Sequence, residues 1–162
     1  MEKSKFEIIQ GNILDEPEWK FHQCNCRTTK AAGVAKNIFE KWPEANRYQK
    51  RIHGQNDDHL FGKIEIFQAS KVINAYAQKY PGSPTAGDFY SERVQAFESC
   101  LRQTEELLKI QETPKTVVLA FPYRIGCGLA KGDWGDYIDM LYDSYVRFDK
   151  LHGSVHYKVY KL

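Results

Sequence analysis

The sequence predicts an α/β fold, a three-layer α/β/α domain built around a central mixed sheet. Short apolar runs typical of buried strands alternate along the chain with segments whose apolar residues recur at helical spacing. In the middle of the chain, two strand-like runs at 61–68 and 71–76 are separated only by Ala69 and Ser70. This spacing predicts an antiparallel hairpin within an otherwise alternating strand-and-helix order, which favours a mixed sheet between helices.

Length and composition indicate one globular domain. The 162 residues are 42% hydrophobic and 27% charged, and we expect a single domain over 1–162. A net charge of +2 gives no indication of a nucleic-acid partner. The sequence contains neither a run of eighteen apolar residues nor an apolar signal region near its start, so we expect a cytoplasmic protein without a membrane partner. We also expect a monomer with free cysteine thiols.

The first half of the chain predicts two strands and two helices. Strands are predicted at 6–10 and 21–26. Thr28 and Thr29 are predicted N-caps of a helix that Pro43 stops, and a second, polar helix is predicted over 45–52. The inward face of the first helix is expected to hold four apolar residues: Val34, Ile38, Phe39 and Trp42.

The second half predicts two longer helices and two strands. An irregular loop rich in proline and glycine at 81–87 precedes a helix that runs from near Tyr90 to a point before Pro114. The run 116–121 is apolar throughout and predicts a strand buried on both faces. A helix begins near Trp134, and a last strand is predicted at 154–160.

The glycine-rich stretch 122–134, PYRIGCGLAKGDW, joins the buried strand to the final helix. Glycine permits positive φ and close approach of a ligand to the backbone, and a helix start offers unpaired N–H groups to an anion. The loop therefore predicts a phosphate or diphosphate site. The alternative is a tight connection that needs glycine for its geometry alone. Ligands of α/β sheets bind at the carboxyl ends of strands, where such loops meet.

Three stretches of the sequence together resemble one known family. They are Gly11-Asn12-Ile13, the segment 22–26 with 31–35 (HQCNC and AAGVA), and the segment 124–129 with 132–134 (RIGCGL and GDW). The chain is similar in these stretches to macrodomains, the ADP-ribose-binding fold. It is most similar to the branch that contains ADP-ribose 1″-phosphate phosphatases and terminal ADP-ribose protein glycohydrolase.

The resemblance implies a binding site for ADP-ribose or ADP-ribose 1″-phosphate. Asn12 and Ile13 are expected to meet the adenine. Asn25 and the loop Ala32, Gly33, Val34 are expected to hold the distal ribose and the nearby phosphate. Six consecutive residues are expected at the diphosphate: Ile125, Gly126, Cys127, Gly128, Leu129 and Ala130.

The resemblance also implies an enzyme, a phosphatase that removes the 1″-phosphate from ADP-ribose 1″-phosphate. His22 is the candidate acid or base, because its ordinary pKa is near neutrality. Asp133 is the candidate for activating water. Each has a structural alternative, since His22 lies in a strand and Asp133 precedes a helix that it would cap. Asn74 is expected either to position ribose hydroxyls or to satisfy backbone groups.

Two other functions are compatible with the sequence. A glycohydrolase would release ADP-ribose from protein or nucleic acid, but Ala130 stands where that enzyme has its acidic residue. A reader would bind ADP-ribose without turnover. Nucleic acid is expected as a partner only as an ADP-ribosylated substrate. We expect no cofactor, and no metal at His22, Cys24 and Cys26, because no fourth ligand is evident.

Overall fold

The computed structural model describes residues 3–52, 54–112 and 115–162. Within these residues, the strands are β1 (Lys5–Gln10), β2 (Trp19–Asn25), β3 (Ile64–Phe67), β4 (Val72–Gln78), β5 (Val117–Pro122) and β6 (Val155–Lys161). The helices are α1 (Gly33–Lys41), α2 (Tyr90–Glu112) and α3 (Trp134–His152). Pro114, before which the sequence predicts α2 to end, lies outside the described residues.

The strands form one six-stranded sheet in the order β1-β6-β5-β2-β4-β3. Neighbouring strands are parallel except for the edge strand β3, which pairs antiparallel with β4. This confirms the predicted mixed sheet and its single hairpin. Because five strands share one direction, their carboxyl ends meet at the same edge of the sheet.

Helices cover both faces of the sheet, as the predicted three-layer order requires. Alternate strand residues point to opposite faces. Phe21 packs against Phe97 of α2, with ring centroids 5.7 Å apart, on the face shared by α2 and α3. Cys24 belongs to the core of the opposite face, together with Ile38 and Phe39 of α1. No helix of the described part of the chain has the length and apolarity needed to cross a bilayer.

The region between β2 and β3 differs from the prediction. The helix α1 begins at Gly33 with Ala32 as its N-cap, so Thr28 and Thr29 do not cap it. Ile38 and Phe39 are buried as predicted, whereas Val34 is 41% exposed because it lies in the first turn, at the mouth of the loop.

The predicted helix over 45–52 is also wrong. Two short 3₁₀ turns, Pro43–Ala45 and Tyr48–Lys50, take its place. Tertiary contacts explain the difference, since the side chains of Tyr48 and Arg51 are turned inward to bond the backbone of Asn25, the last residue of β2.

The topology of the sheet places a crevice between β2 and β5 at the carboxyl edge. The two strands pair only through Trp19 with Leu119 and Lys20 with Ala120, although β2 continues to Asn25. The chain after β2 leads to α1 on one face, and the chain after β5 leads to α3 on the other face. Adjacent strands whose connections depart to opposite faces leave such a crevice, which is where α/β proteins bind ligands.

Candidate functional site

The loop between β5 and α3 forms one wall of the crevice, and its glycines have different roles. A Cβ atom on Gly126, whose φ is 77°, would lie 2.5 Å from the Tyr137 ring. A Cβ on Gly132 would lie 2.5 Å from the Gly126 carbonyl oxygen. Gly128 is exposed, and a Cβ there would meet nothing within 4 Å. Packing therefore requires glycine at 126 and 132 but leaves the space beside Gly128 open.

Consecutive backbone N–H groups in this loop are unpaired. Those of Gly128, Leu129 and Ala130 donate to no acceptor in the described part of the chain, whereas the N–H of Gly132 donates to the Gly126 carbonyl at 2.9 Å. Arg124 and Lys131 hold the left-handed conformation, with φ of 61° and 60°, which is uncommon for residues other than glycine. The loop thus holds N–H groups in a fixed arrangement that suits an anion.

The loop between β2 and α1 forms the opposite wall. Ala32 has no side-chain acceptor, so the N–H groups of the first turn of α1, from Gly33 to Ala35, stay open. Asn25 shapes the loop because its Oδ1 accepts the N–H groups of Arg27 at 3.0 Å and Thr28 at 2.9 Å. Its Nδ2 donates to nothing within the described ranges and remains available to a ligand.

Two residues that the sequence analysis missed hold this loop in place. The Tyr48 hydroxyl accepts the Asn25 N–H at 2.7 Å. The Arg51 guanidinium donates to the Asn25 carbonyl at 2.8 Å and to the Thr28 carbonyl at 2.9 Å, and it pairs with Asp57 at 2.7 Å. Both side chains belong to the segment predicted as a polar helix, and no local pattern marks them as inward.

A second clamp joins two neighbouring loops. Arg93 of α2 is 1% exposed and pairs at 2.7 Å with Asp88, which is 0% exposed. The same guanidinium donates to the Gly82 carbonyl at 2.8 Å and to the Ala130 carbonyl at 3.4 Å. It therefore ties the loop after β4 to the loop after β5, next to the unpaired N–H groups.

The turn after β1 lies at the same edge of the sheet. Asn12 accepts the Leu14 N–H at 2.9 Å, and Ile13 is buried at 7% exposure. The Gly11 N–H donates to the Lys161 carbonyl at the end of β6. Since β1 is separated from β5 only by β6, about 10 Å of sheet lies between this turn and the loop at 126–130.

His22 and Asn74 lie inside the protein, below the crevice. His22 is 1% exposed, and its Nε2 is 2.7 Å from Oδ1 of Asn74. Asn74 is 0% exposed and donates to the Ala45 carbonyl at 2.8 Å. Burial lowers the pKa of His22 to about 4, so the ring is neutral at physiological pH. The structure does not bring either side chain to the crevice, which favours the structural alternative for both.

Asp133 and Cys127 have different exposures in the loop after β5. Asp133 is exposed, and its Oδ1 accepts the Asp136 N–H at 3.3 Å as the N-cap of α3. The cap uses Oδ1, and Oδ2 has no hydrogen-bond partner among the described residues. Cys127 is 5% exposed, and burial raises the pKa of its thiol to about 11. A thiol in that state is a poor nucleophile, so Cys127 contributes packing and backbone.

Comparison with known proteins extends these observations. No family model matches the chain. A 17.5 kDa uncharacterized protein encoded in the tk-vs intergenic region of Enterobacteria phage T4 is 24% identical over 148 residues, which cover 86% of this chain and 88% of that protein.

Solved structures are similar over nearly the whole chain. The macrodomain of Thermus aquaticus DarG superposes with a TM-score of 0.67 at 17% identity, over 98% of this chain and 99% of that one. A glycine-to-valine variant of the Oceanobacillus iheyensis macrodomain, solved with ADPR, gives 0.66 at 14% identity over 96% and 84%. The same macrodomain with ADP gives 0.64 at 13% identity over 97% and 83%. The sheet order, the three layers and these superpositions show that the chain has the macrodomain fold.

Proposed function

We propose that the crevice binds ADP-ribose or a nucleotide of the same build. The observation that carries this proposal is the pair of unpaired N–H sets on its two walls, at Gly128–Ala130 and at the start of α1. A diphosphate between them would accept hydrogen bonds from both sides. The base would lie at the turn of Asn12 and Ile13, and the distal ribose beside Asn25. The structures solved with ADPR and ADP support the same ligand class.

Backbone groups are sufficient for this anion. The net charge of the chain is only +2. N–H groups at a helix start carry a partial positive charge, and unlike lysine they cost little entropy when a ligand is bound. The site therefore needs no cluster of basic side chains.

A calorimetric titration with ADP-ribose tests the proposal, together with the variant Gly128→Glu. Because a Cβ at 128 meets no neighbour, the variant should fold. Its carboxylate would occupy the space of the diphosphate and repel the diphosphate charge. We expect at least tenfold weaker binding. Ile110→Glu places the same charge at a 77% exposed site of α2 and should bind as the wild type does. Absence of heat at millimolar ADP-ribose, or equal affinity of Gly128→Glu, would contradict the proposal.

Removal of the 1″-phosphate is a second candidate function, and the exposed Asp133 carboxylate favours it. With His22 enclosed, Asp133 would have to activate the attacking water. Asp133→Asn keeps an oxygen for the cap and removes the base, so phosphate release from ADP-ribose 1″-phosphate should fall about a hundredfold. If the wild-type protein binds ADP-ribose but releases no phosphate, the protein is a reader.

A further inference from the structure

In the turn after β1, the side-chain oxygen of Asn12 already accepts a hydrogen bond from the turn itself. Oδ1 of Asn12 accepts the Leu14 N–H at 2.9 Å. Only the oxygen of an amide can accept an N–H, so this bond fixes which way the amide faces. The main-chain carbonyl of Asn12 is also engaged, because it accepts the Asp15 N–H at 2.9 Å.

Neighbouring acceptors are occupied as well. The Ile13 carbonyl accepts the Glu16 N–H at 3.0 Å. Glu16, 2% exposed, receives Lys158 at 3.0 Å and the Tyr160 hydroxyl at 2.7 Å on Oε1. Its Oε2 accepts the Glu18 N–H at 2.9 Å. Three donors therefore occupy three of the four acceptor sites of this carboxylate, and its burial keeps the remaining lone pair away from a base.

Two donors of the same turn remain open. Nδ2 of Asn12 and the N–H of Ile13 donate to no acceptor among the described residues. An aspartate at 12 would behave differently, because one oxygen would cap Leu14 while the other would accept a hydrogen bond. At the place where the base is proposed to lie, asparagine therefore presents a hydrogen-bond donor where aspartate would present an acceptor.

Purine bases differ in what they offer to two adjacent donors. Adenine presents its 6-amino group, a donor, beside the acceptor N7, whereas guanine and hypoxanthine present O6 and N7, which are both acceptors. We infer that this site prefers a diphosphoribose nucleotide whose base is a 6-oxopurine over ADP-ribose. The inference rests on the proposed function, since it takes Asn12 and Ile13 as the base site.

Calorimetric titration of the diphosphoribose nucleotides of hypoxanthine, guanine and adenine tests this base preference. The wild-type protein should bind the two 6-oxopurine ligands about tenfold more tightly than ADP-ribose, a difference of about 1.4 kcal/mol. Asn12→Asp keeps the cap, because aspartate and asparagine are equally good N-caps. It should reverse the preference and bind ADP-ribose more tightly than the wild type does.

Asp15 provides the matched control, since it is the exposed carboxylate of the same turn. Asp15→Asn should leave the preference unchanged. If Asp15→Asn weakens ADP-ribose binding while Asn12→Asp leaves the ratio of affinities unaltered, Asp15 accepts the amino group and the inference is overturned. Binding of ADP-ribose with no preference between bases overturns the inference alone. If none of the three nucleotides binds, the proposed function falls, and the inference falls with it.

Discussion

His22 combines a buried ring with a polar partner, and this combination makes stability depend on pH. The ring stacks edge-on against Phe39, with centroids 5.3 Å apart, and burial lowers its pKa to about 4. In the unfolded chain the pKa is near 6.5. At a pH between these two pKa values, His22 is protonated in the unfolded state and neutral in the folded state. The free energy of unfolding therefore falls as the pH drops.

The variant His22→Gln tests this account. Glutamine can still donate to Asn74 but takes up no proton. Above pH 6.5 the wild type should be the more stable protein, and its advantage should shrink by about 3 kcal/mol as the pH falls from 7 to 4. Urea unfolding at pH 7, 5.5 and 4 measures it. Parallel pH profiles of the two proteins would show that His22 titrates normally. ADP-ribose affinity at pH 7 should not change, because the ring does not face the crevice.

Gly126 is a residue whose substitution should affect the fold before it affects the ligand. Gly126→Ala places a methyl group 2.5 Å from the Tyr137 ring at a φ of 77°. We expect a loss of about 1 to 3 kcal/mol of unfolding free energy. Gly128→Ala meets no neighbour and should keep the wild-type stability within about 0.5 kcal/mol. Thermal unfolding of the pair distinguishes the two positions, and equal melting temperatures would contradict the loop geometry.

At the level of single residues, the sequence shows the loops but not their supports. Glycine spacing after an apolar run marks 126–132, and of the two roles that the sequence leaves open for Asp133, the structure shows the cap. It gives no sign that Arg51 and Arg93 are buried, because each finds its partners only after distant segments meet. Because arginine side chains are ordinarily exposed, the burial of these two could not be predicted from the sequence.

Among the elements, the loops after β4 and β5 depend on the clamp of Arg93 and Asp88. Arg93→Met leaves a fully buried carboxylate without its cation, which should cost about 3 kcal/mol or more of unfolding free energy. Ligand affinity should fall as well, since Ala130 loses its tie to the loop after β4.

A matched control for the clamp is available on the same helix. Arg102 pairs with Glu98 at 3.0 Å on the exposed surface of α2, with side-chain exposures of 57% and 45%. Arg102→Met should cost less than about 1 kcal/mol. Chemical denaturation of both variants measures the difference. Equal losses would show that the buried pair has no special role.

Element prediction from the sequence succeeded where apolar periodicity is strong. The strand at 116–121 and the helices after Tyr90 and Trp134 match β5, α2 and α3 closely. It failed at 45–52, where polar residues at mixed spacing are equally compatible with a surface helix and with turns. There the inward bonds of Tyr48 and Arg51 decide the conformation. The N-cap of α1 was also misplaced, because threonine is preferred at caps but Ala32 takes the position.

For the whole molecule, topology sets the place of the site. The sequence predicts that the loops after β2 and β5 face one cleft at the carboxyl ends of adjacent strands, and the pairing of β2 with β5 confirms that the two strands are neighbours. The order β5-β2-β4 brings together segments almost a hundred residues apart. Once they are adjacent, the departure of α1 and α3 to opposite faces opens the crevice, and the loops on its two sides carry N–H groups without an acceptor in the described ranges.

Amide chemical-shift mapping of the protein with ADP-ribose shows whether both loops hold the ligand. The largest shifts should fall on N–H groups of both walls and of the base turn: Ile13, Gly33, Val34, Gly128, Leu129 and Ala130. The surface groove between α2 and α3, lined by Arg102 and Met140, should show none. Shifts confined to that groove, or no shift at any amide with millimolar ligand, would show that the ligand does not bind between the two loops.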